Sequence, residues 1–394
     1  MDAATAPATG IDLFAEEVLA DPYPTYARLR AAGEAVRLDS LGMFALPGYA
    51  ANRCALGNPE VFTSERGVAL NEPVNEMVGD IIVHNDGELH ARMRGVLAAQ
   101  LSPRHVRQLT IDIEAEADGL VARVVERGTF DAMADLAEIL PVSVVARLIG
   151  LPEEKRMKLL DWAEHAFTTF GPMNGQTLAA LPHVAEFFEY LSTTCAPEHL
   201  APDSWGAAIY AAADRGEIPP ESCFNLMFAL AGAGMGTTIS ALGSALWLFA
   251  THPRQWQLVR DDPARIRNAF HEVIRIESPI QFFSRVLRRD HRFGDVVLPE
   301  GARAIVMYGS ANRDDAKFAG ADRFDVERRN AAEHLAFGFG LHSCVGQTLA
   351  RIEVEAVLGA LVRRVRRLEC GEPTWAVNNI TRQIGTLPMA VTAA

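Results

Sequence analysis

Apolar residues recur at intervals of three and four along most of the chain after Val68, and that period predicts helices. The periodic stretches fall at residues 89–101, 106–127, 132–149, 154–170, 179–194, 220–250, 265–277 and 344–367. An earlier helix opens in the run Asp21-Pro22-Tyr23-Pro24-Thr25-Tyr26-Ala27-Arg28-Leu29-Arg30. Alternation with period two marks a hairpin at residues 36–46, its turn near Ser40-Leu41-Gly42, and short strands at 282–287, 304–308 and 387–392. The balance is mainly α with a minor β part. No linker, repeat or low-complexity tract divides residues 1–394, so a single domain is expected.

The most apolar segment changes the picture only briefly. From Ser222 to Pro253 there is no charged side chain, a length that would cross a membrane. Gly232, Gly234 and Gly236 cluster at its middle, and Thr237, Thr238 and Ser240 follow. Its flanks lack the cationic asymmetry of a membrane helix, so a buried helix is expected. A net charge of −13 argues against a nucleic-acid partner. Cys54, Cys195, Cys223, Cys344 and Cys370 are odd in number and scattered, which fits a reducing cytoplasm. The start Met1-Asp2-Ala3-Ala4-Thr5 has neither a basic nor an apolar stretch, so no secretory signal is expected.

Candidate chemistry concentrates in Phe337-Gly338-Phe339-Gly340-Leu341-His342-Ser343-Cys344-Val345-Gly346. A lone free cysteine reads as a small buried hydrophobe. Here it stands among fixed aromatic and glycine positions. Gly340 and Gly346 let the backbone approach a flat ligand, Phe337 can shield the sulfur from water, and a helix beginning near Gln347 would turn its amides toward a thiolate. Zinc held by His334, His342 and Cys344 is a rival, but no second ligand pair accompanies these residues.

This run resembles the haem-thiolate loop of soluble bacterial cytochrome P450 enzymes, and the resemblance spans nearly the whole chain. It implies the triangular helical prism of that family, built around haem b (iron protoporphyrin IX), with Cys344 as the iron ligand beside Phe337, Gly338 and Gly346. His90 and Arg94, one turn apart, resemble a haem-propionate site, with Arg285 and His342 as further contacts. On spacing alone the first two would also suit a solvated basic face. Glu272 and Arg275 resemble the family's Glu-x-x-Arg pair. The resemblance adds Arg328 as a third member and gives the triad a structural role. Taken alone, the pair would be an ordinary surface ion pair. Thr237 matches the oxygen-activating threonine, but Gly236 stands where the family places an acid. The Thr237 hydroxyl is expected to bond back to Ala233 and open a groove beside the glycines.

The pocket is expected to be small and apolar, lined by Phe167, Phe170, Phe228, Ala229, Ala233, Ile280 and Phe283, although such a phenylalanine pattern also suits plain core packing. The subfamily it most resembles oxidises para-substituted benzoates and removes O-methyl groups from methoxyaromatics. Its Arg-Ser carboxylate clasp is replaced here by Phe228-Ala229, which favours a neutral substrate such as a methoxyphenol. Should a benzoate bind instead, Arg66 and Arg382 are the first candidates to hold its carboxylate. The resemblance implies a cytoplasmic, monomeric monooxygenase using O2, with electrons from a ferredoxin and an NAD(P)H-dependent ferredoxin reductase. No membrane or nucleic acid is involved. Docking is expected on a basic patch of Arg92, Arg104, Arg107, Arg363, Arg364, Arg366 and Arg367. Rival readings are a peroxide-driven hydroxylase, a terpene or fatty-acid hydroxylase, and a haem-binding sensor or carrier.

Overall fold

The computed structural model describes residues 6–151 and 156–394. Residues 1–5, and Glu154 and Lys155 at the start of the helix expected over 154–170, lie outside the described residues. The described part of that helix is Arg156–Thr169. Other expected helices appear as Tyr23–Ala32, Glu88–Gln100, Pro103–Arg127, Gly175–Thr193 and Ile266–Ile276. Their ends have local causes. Pro103 occupies the first turn of its helix, where a missing N–H costs nothing, and Gly128 at φ 73° ends it. The Asn174 side chain accepts the Thr177 amide at 3.0 Å and starts Gly175–Thr193. The stretch expected over 132–149 begins as a π-helical turn, Met133–Ala137, before the α-helix Ile139–Ile149. Helices Tyr49–Gly57, Glu72–Val78 and Trp205–Asp214 were not expected from periodicity.

Two expected helices are corrected. The one over 220–250 is a pair, Ser222–Ala233 and Gly236–Thr251, parted at Gly234-Met235. The Ala233 carbonyl accepts the Thr237 hydroxyl at 3.1 Å, and the amides of Thr238 and Ile239 both turn to the Met235 carbonyl at 3.0 Å. A Cβ on Gly234 would come within 2.7 Å of the Leu230 carbonyl, so the bend needs glycine. The pair is mostly buried at the centre of the fold. The helix expected over 344–367 is Gln347–Arg364. Val365 then begins the strand Val365–Cys370, which pairs with Pro388–Ala393, so Arg366 and Arg367 lie on a strand.

The main sheet runs in the order Ala8–Thr9, Val36–Leu38, Met43–Leu46, Arg303–Val306, Phe283–Leu287, Phe62–Thr63. Val36–Leu38 and Met43–Leu46 form the expected antiparallel hairpin. Along Phe283–Leu287, period-two alternation sends Phe283 and Arg285 to one face, toward the interior cavity. Ser284 faces the other way and donates to the Val68 and Ala69 carbonyls at 2.9 and 3.1 Å. The cavity is walled by that strand, the central helix pair, Glu88–Gln100, Arg156–Thr169 and the loop before Gln347.

Candidate active site

Cys344 opens onto this cavity, which continues to solvent. Its loop is shaped by Gly338 at φ 68° and Gly340 at φ 72°. A Cβ on Gly340 would lie 2.7 Å from the Leu56 carbonyl, a contact no side chain tolerates. The Cys344 amide donates to the Phe337 carbonyl at 2.8 Å, and the Gly338 amide to Leu335 at 2.8 Å. The Gly346 and Gln347 amides face the sulfur. Burial pushes the Cys344 thiol up, while those amides and Arg94 pull it down, so a stable thiolate here calls for a metal cation. Phe337 packs near Phe270, with ring centroids 6.1 Å apart, and lines the cavity beside the sulfur. At Gly346 a Cβ would meet Sγ at 3.8 Å, an ordinary contact, so a need for glycine there comes only from what lies beyond the sulfur.

Behind the loop is a buried ionic lock. Arg275 donates to both Glu272 carboxylate oxygens at 2.7 and 2.9 Å, and Arg328 to one of them at 3.0 Å. Arg275 also holds the Asn312 and Ala321 carbonyls at 2.7 and 2.8 Å, and Arg328 holds those of Ala319, Gly320 and Arg323. The Asn312 side chain in turn accepts the Leu335 amide at 2.6 Å, at the entrance to the cysteine loop. None of the three charged residues lines the cavity.

One end of the cavity gathers basic side chains. His90, Arg94, Arg285 and His342 all line it. Arg94 spans to the Ser343 carbonyl at 2.7 Å, tying Glu88–Gln100 to the cysteine loop. The His90 and His342 rings are 4.6 Å apart. His342 Nε2 lies 2.8 Å from Asp86 Oδ1. Burial, then His342 and Arg94, push His90 down to about 4. Burial lowers His342 despite the opposing pull of Asp86. For Asp86, burial acts upward, but hydrogen bonds from His342, Thr63 and the Ser64 amide hold it below the usual carboxylate range. His90 Nδ1 is buried and has no partner among the described residues, which suits an acidic group of a ligand at this end.

The remaining lining is apolar. Phe167, Phe170, Phe228, Ala229, Ala233, Ile280 and Phe283 all face the cavity, together with Thr237. The Phe170 and Phe283 rings are 5.8 Å apart. Gly236 is buried off the cavity wall, and a Cβ built on it would meet nothing within 4 Å. Ile81, Ile82, Val145, Trp205 and Tyr308 also line the space and were missed, because each reaches it from an element that reads as plain core in sequence. Asp86 was missed as the partner of His342, 256 positions away.

Several alternative groupings do not form. His334, His342 and Cys344 do not gather into a metal site among the described residues. His334 instead accepts the Ala336 amide at 3.1 Å and faces His271 at 3.2 Å. Arg382 pairs with Glu277 at 2.8 Å and lies over the Trp375 ring, outside the cavity. Arg66 borders a separate surface recess. Two carboxylates, Asp118 and Glu369, offset part of the basic patch. Arg363 and Arg364 both bind Asp118, Arg367 pairs with Glu369, and Arg92 holds the Gly216 and Glu217 carbonyls.

The family description cytochrome P450 matches residues 210–374. Cytochrome p450 CYP199A2 of Rhodopseudomonas palustris is 38% identical over 396 residues, covering 99% of this chain and 96% of that protein. The chain belongs to the cytochrome P450 family. The P450 monooxygenase PikC of Streptomyces venezuelae is 29% identical, covering 98% of this chain and 95% of that protein. A solved P450, CREJ in complex with (4-ethylphenyl) dihydrogen phosphate, superposes with a TM-score of 0.87 at 25% identity, over 95% of this chain and 98% of that one. The protein is thus a P450 oxidoreductase whose cofactor is haem b. The residues present fit that group. A sulfur ringed by amides faces the cavity from one side, and four cationic or basic side chains, including an orphaned His90 nitrogen, gather at one end for two carboxylates.

Proposed function

We propose that this P450 is a single-domain, monomeric, cytoplasmic monooxygenase that hydroxylates or O-demethylates a small neutral aromatic substrate of the methoxyphenol kind. The observation that carries the substrate reading is the apolar half of the cavity. Phe228 and Ala229 lie on the central helix, and the cavity's His and Arg side chains are His90, Arg94, Arg285 and His342, the set that suits haem carboxylates. A benzoate bound beyond that set would leave its carboxylate unpaired, at a cost of several kcal/mol. The ring-bearing ligand of the solved relative CREJ accords with an aromatic occupant.

When bound, haem b supplies oxygen activation at its iron, favoured by a cysteine thiolate. In this reading Cys344 would be the ligand, and His90, Arg94, Arg285 and His342 would hold the two propionates. Phe167, Phe170, Phe228, Ile280 and Phe283 exclude water and press the aromatic ring in place. The Thr237 hydroxyl, anchored on the Ala233 carbonyl, would hold or relay a proton at the cavity wall. The substrate's methyl carbon gains one oxygen atom, and the resulting hemiacetal releases formaldehyde and leaves a phenol. The second oxygen departs as water, using two protons and two electrons from a ferredoxin and its NAD(P)H-dependent reductase.

Spectral titration of the haem protein with 4-methoxyphenol and 4-methoxybenzoate, followed by formaldehyde assay with ferredoxin and reductase, tests the reading. Tighter binding and coupled formaldehyde release from the phenol are expected. Tight binding of the benzoate with none of the phenol would overturn the neutral-substrate assignment. Gly236 favours a second reading, in which peroxide serves as the oxidant. Product formed from hydrogen peroxide at rates rivalling the NAD(P)H route would support it.

A further inference from the structure

Away from the cavity, three metal-ligating side chains meet across the hairpin of Arg156–Thr169 and Gly175–Thr193. Asp161 and His165 are one turn apart on the first helix, and His183 comes from the second. One donor atom from each lies within 4.8 Å of the other two. The two imidazoles stack flat, with centroids 3.7 Å apart and planes 2° from parallel. His183 Nδ1 is 2.9 Å from one Asp161 oxygen, and His165 Nδ1 is 3.4 Å from the other. His165 Nδ1 also meets the Asp161 carbonyl at 2.7 Å. His183 Nδ1 is thus hydrogen-bonded to the carboxylate and His165 Nδ1 to the Asp161 carbonyl, with the second carboxylate oxygen just beyond, and a cation bound by the three side chains would take over these contacts.

We propose that Asp161, His165 and His183 bind a divalent transition metal, Zn²⁺ foremost, that clamps this hairpin. Two imidazole nitrogens and one carboxylate oxygen form a donor set for zinc, nickel or cobalt, whereas magnesium and calcium seek oxygen alone. Zinc bonds of about 2.0 Å require donors about 3.3 Å apart, and side-chain rotation closes the gap from the present spacing. Side-chain exposures of 50%, 31% and 40% leave room for water to complete the coordination. The first helix carries Ala163, Ala166 and Phe167 into the cavity, so the metal would fasten one wall of the pocket from outside without touching it.

The test uses haem-loaded protein lacking any histidine tag. Calorimetric titration with Zn²⁺ should reveal micromolar binding, with His165→Ala and His183→Ala each weakening it about tenfold or more and Mg²⁺ failing to compete. Zn²⁺ should also slow amide hydrogen exchange in both helices of the wild type, and not in His183→Ala. All three positions are partly exposed, so both variants are expected to fold. Equal Zn²⁺ affinity in the wild type and both variants would overturn the site. Wild-type-specific binding with unchanged exchange in the hairpin would overturn the clamp.

Discussion

The two sides of the Cys344 sulfur are built on opposite principles. Behind it, backbone carbonyls, Asn312 and the Glu272–Arg275–Arg328 lock form a network in which nearly every polar group has a partner. In front, the wall is phenylalanine, alanine and isoleucine, with Thr237 as the polar group on the central helix. The first side specifies a single geometry for the sulfur, because partly satisfied networks are costly when buried. The second specifies little beyond shape and dryness, which leaves it free to set substrate choice. Rigidity and selectivity are thus divided between the faces of one cofactor site.

The sharpest way to break this division is at the sulfur. Cys344→Ala should abolish monooxygenase activity and the red-shifted Soret band of the reduced carbon monoxide complex, while alanine at Cys54, Cys195, Cys223 or Cys370 should keep that band. Next is the lock. Glu272→Leu leaves Arg275 and Arg328 buried without their shared anion and should cost about 3–5 kcal/mol, read as a lowered denaturant midpoint and poor haem retention. On the opposite side, Thr237→Ala should lower the product rate about tenfold to a hundredfold, with NADH diverted to peroxide, for a loss of about 1–3 kcal/mol. Gly236→Asp should raise coupling if proton entry is limiting, and the open space at its Cβ gives the new side chain room to start. Unchanged rate and coupling in both variants would remove these positions from oxygen activation.

The smallest effect concerns Glu353 on Gln347–Arg364, fully buried with neither oxygen partnered among the described residues. Burial and Glu116 raise its pKa well above 4.5, against Arg147. A raised folded pKa means that stability is fully present below the unfolded value and is lost as pH rises through the folded one. Glu353→Gln should therefore be more stable than the wild type near pH 8 and should lose that advantage near pH 4.5. Denaturant melts at the two pH values check it.

Sequence pattern made the rear face legible because its parts are contiguous or one helical turn apart: Phe337 to Gly346, Glu272 with Arg275, His90 with Arg94. The main α character and most helices followed from apolar periodicity. What stayed hidden depends on long-range contact. Asp86 meets His342 only after folding. The break at Gly234-Met235 was signalled by three alternating glycines, but periodicity continues through it, since both halves bury the same kind of surface. Arg366 and Arg367 looked helical until Val365 turned the chain into a strand paired with its last residues. The expected patch is thinned in part by Asp118, remote in sequence from Arg363 and Arg364, and by Glu369 beside Arg367 on the same strand.

The Arg94 bridge to Ser343 joins residues 249 positions apart. A ribosome releases the early half of that bridge long before the late half exists, and chains fold from the N-terminus as they emerge. The helix bearing His90 and Arg94 must therefore wait, its cationic face unanswered, while most of the protein is made. On the proposed haem placement, capture of the pigment would be one of the final events of biogenesis, and nascent chains halted before Ser343 should be unable to keep it.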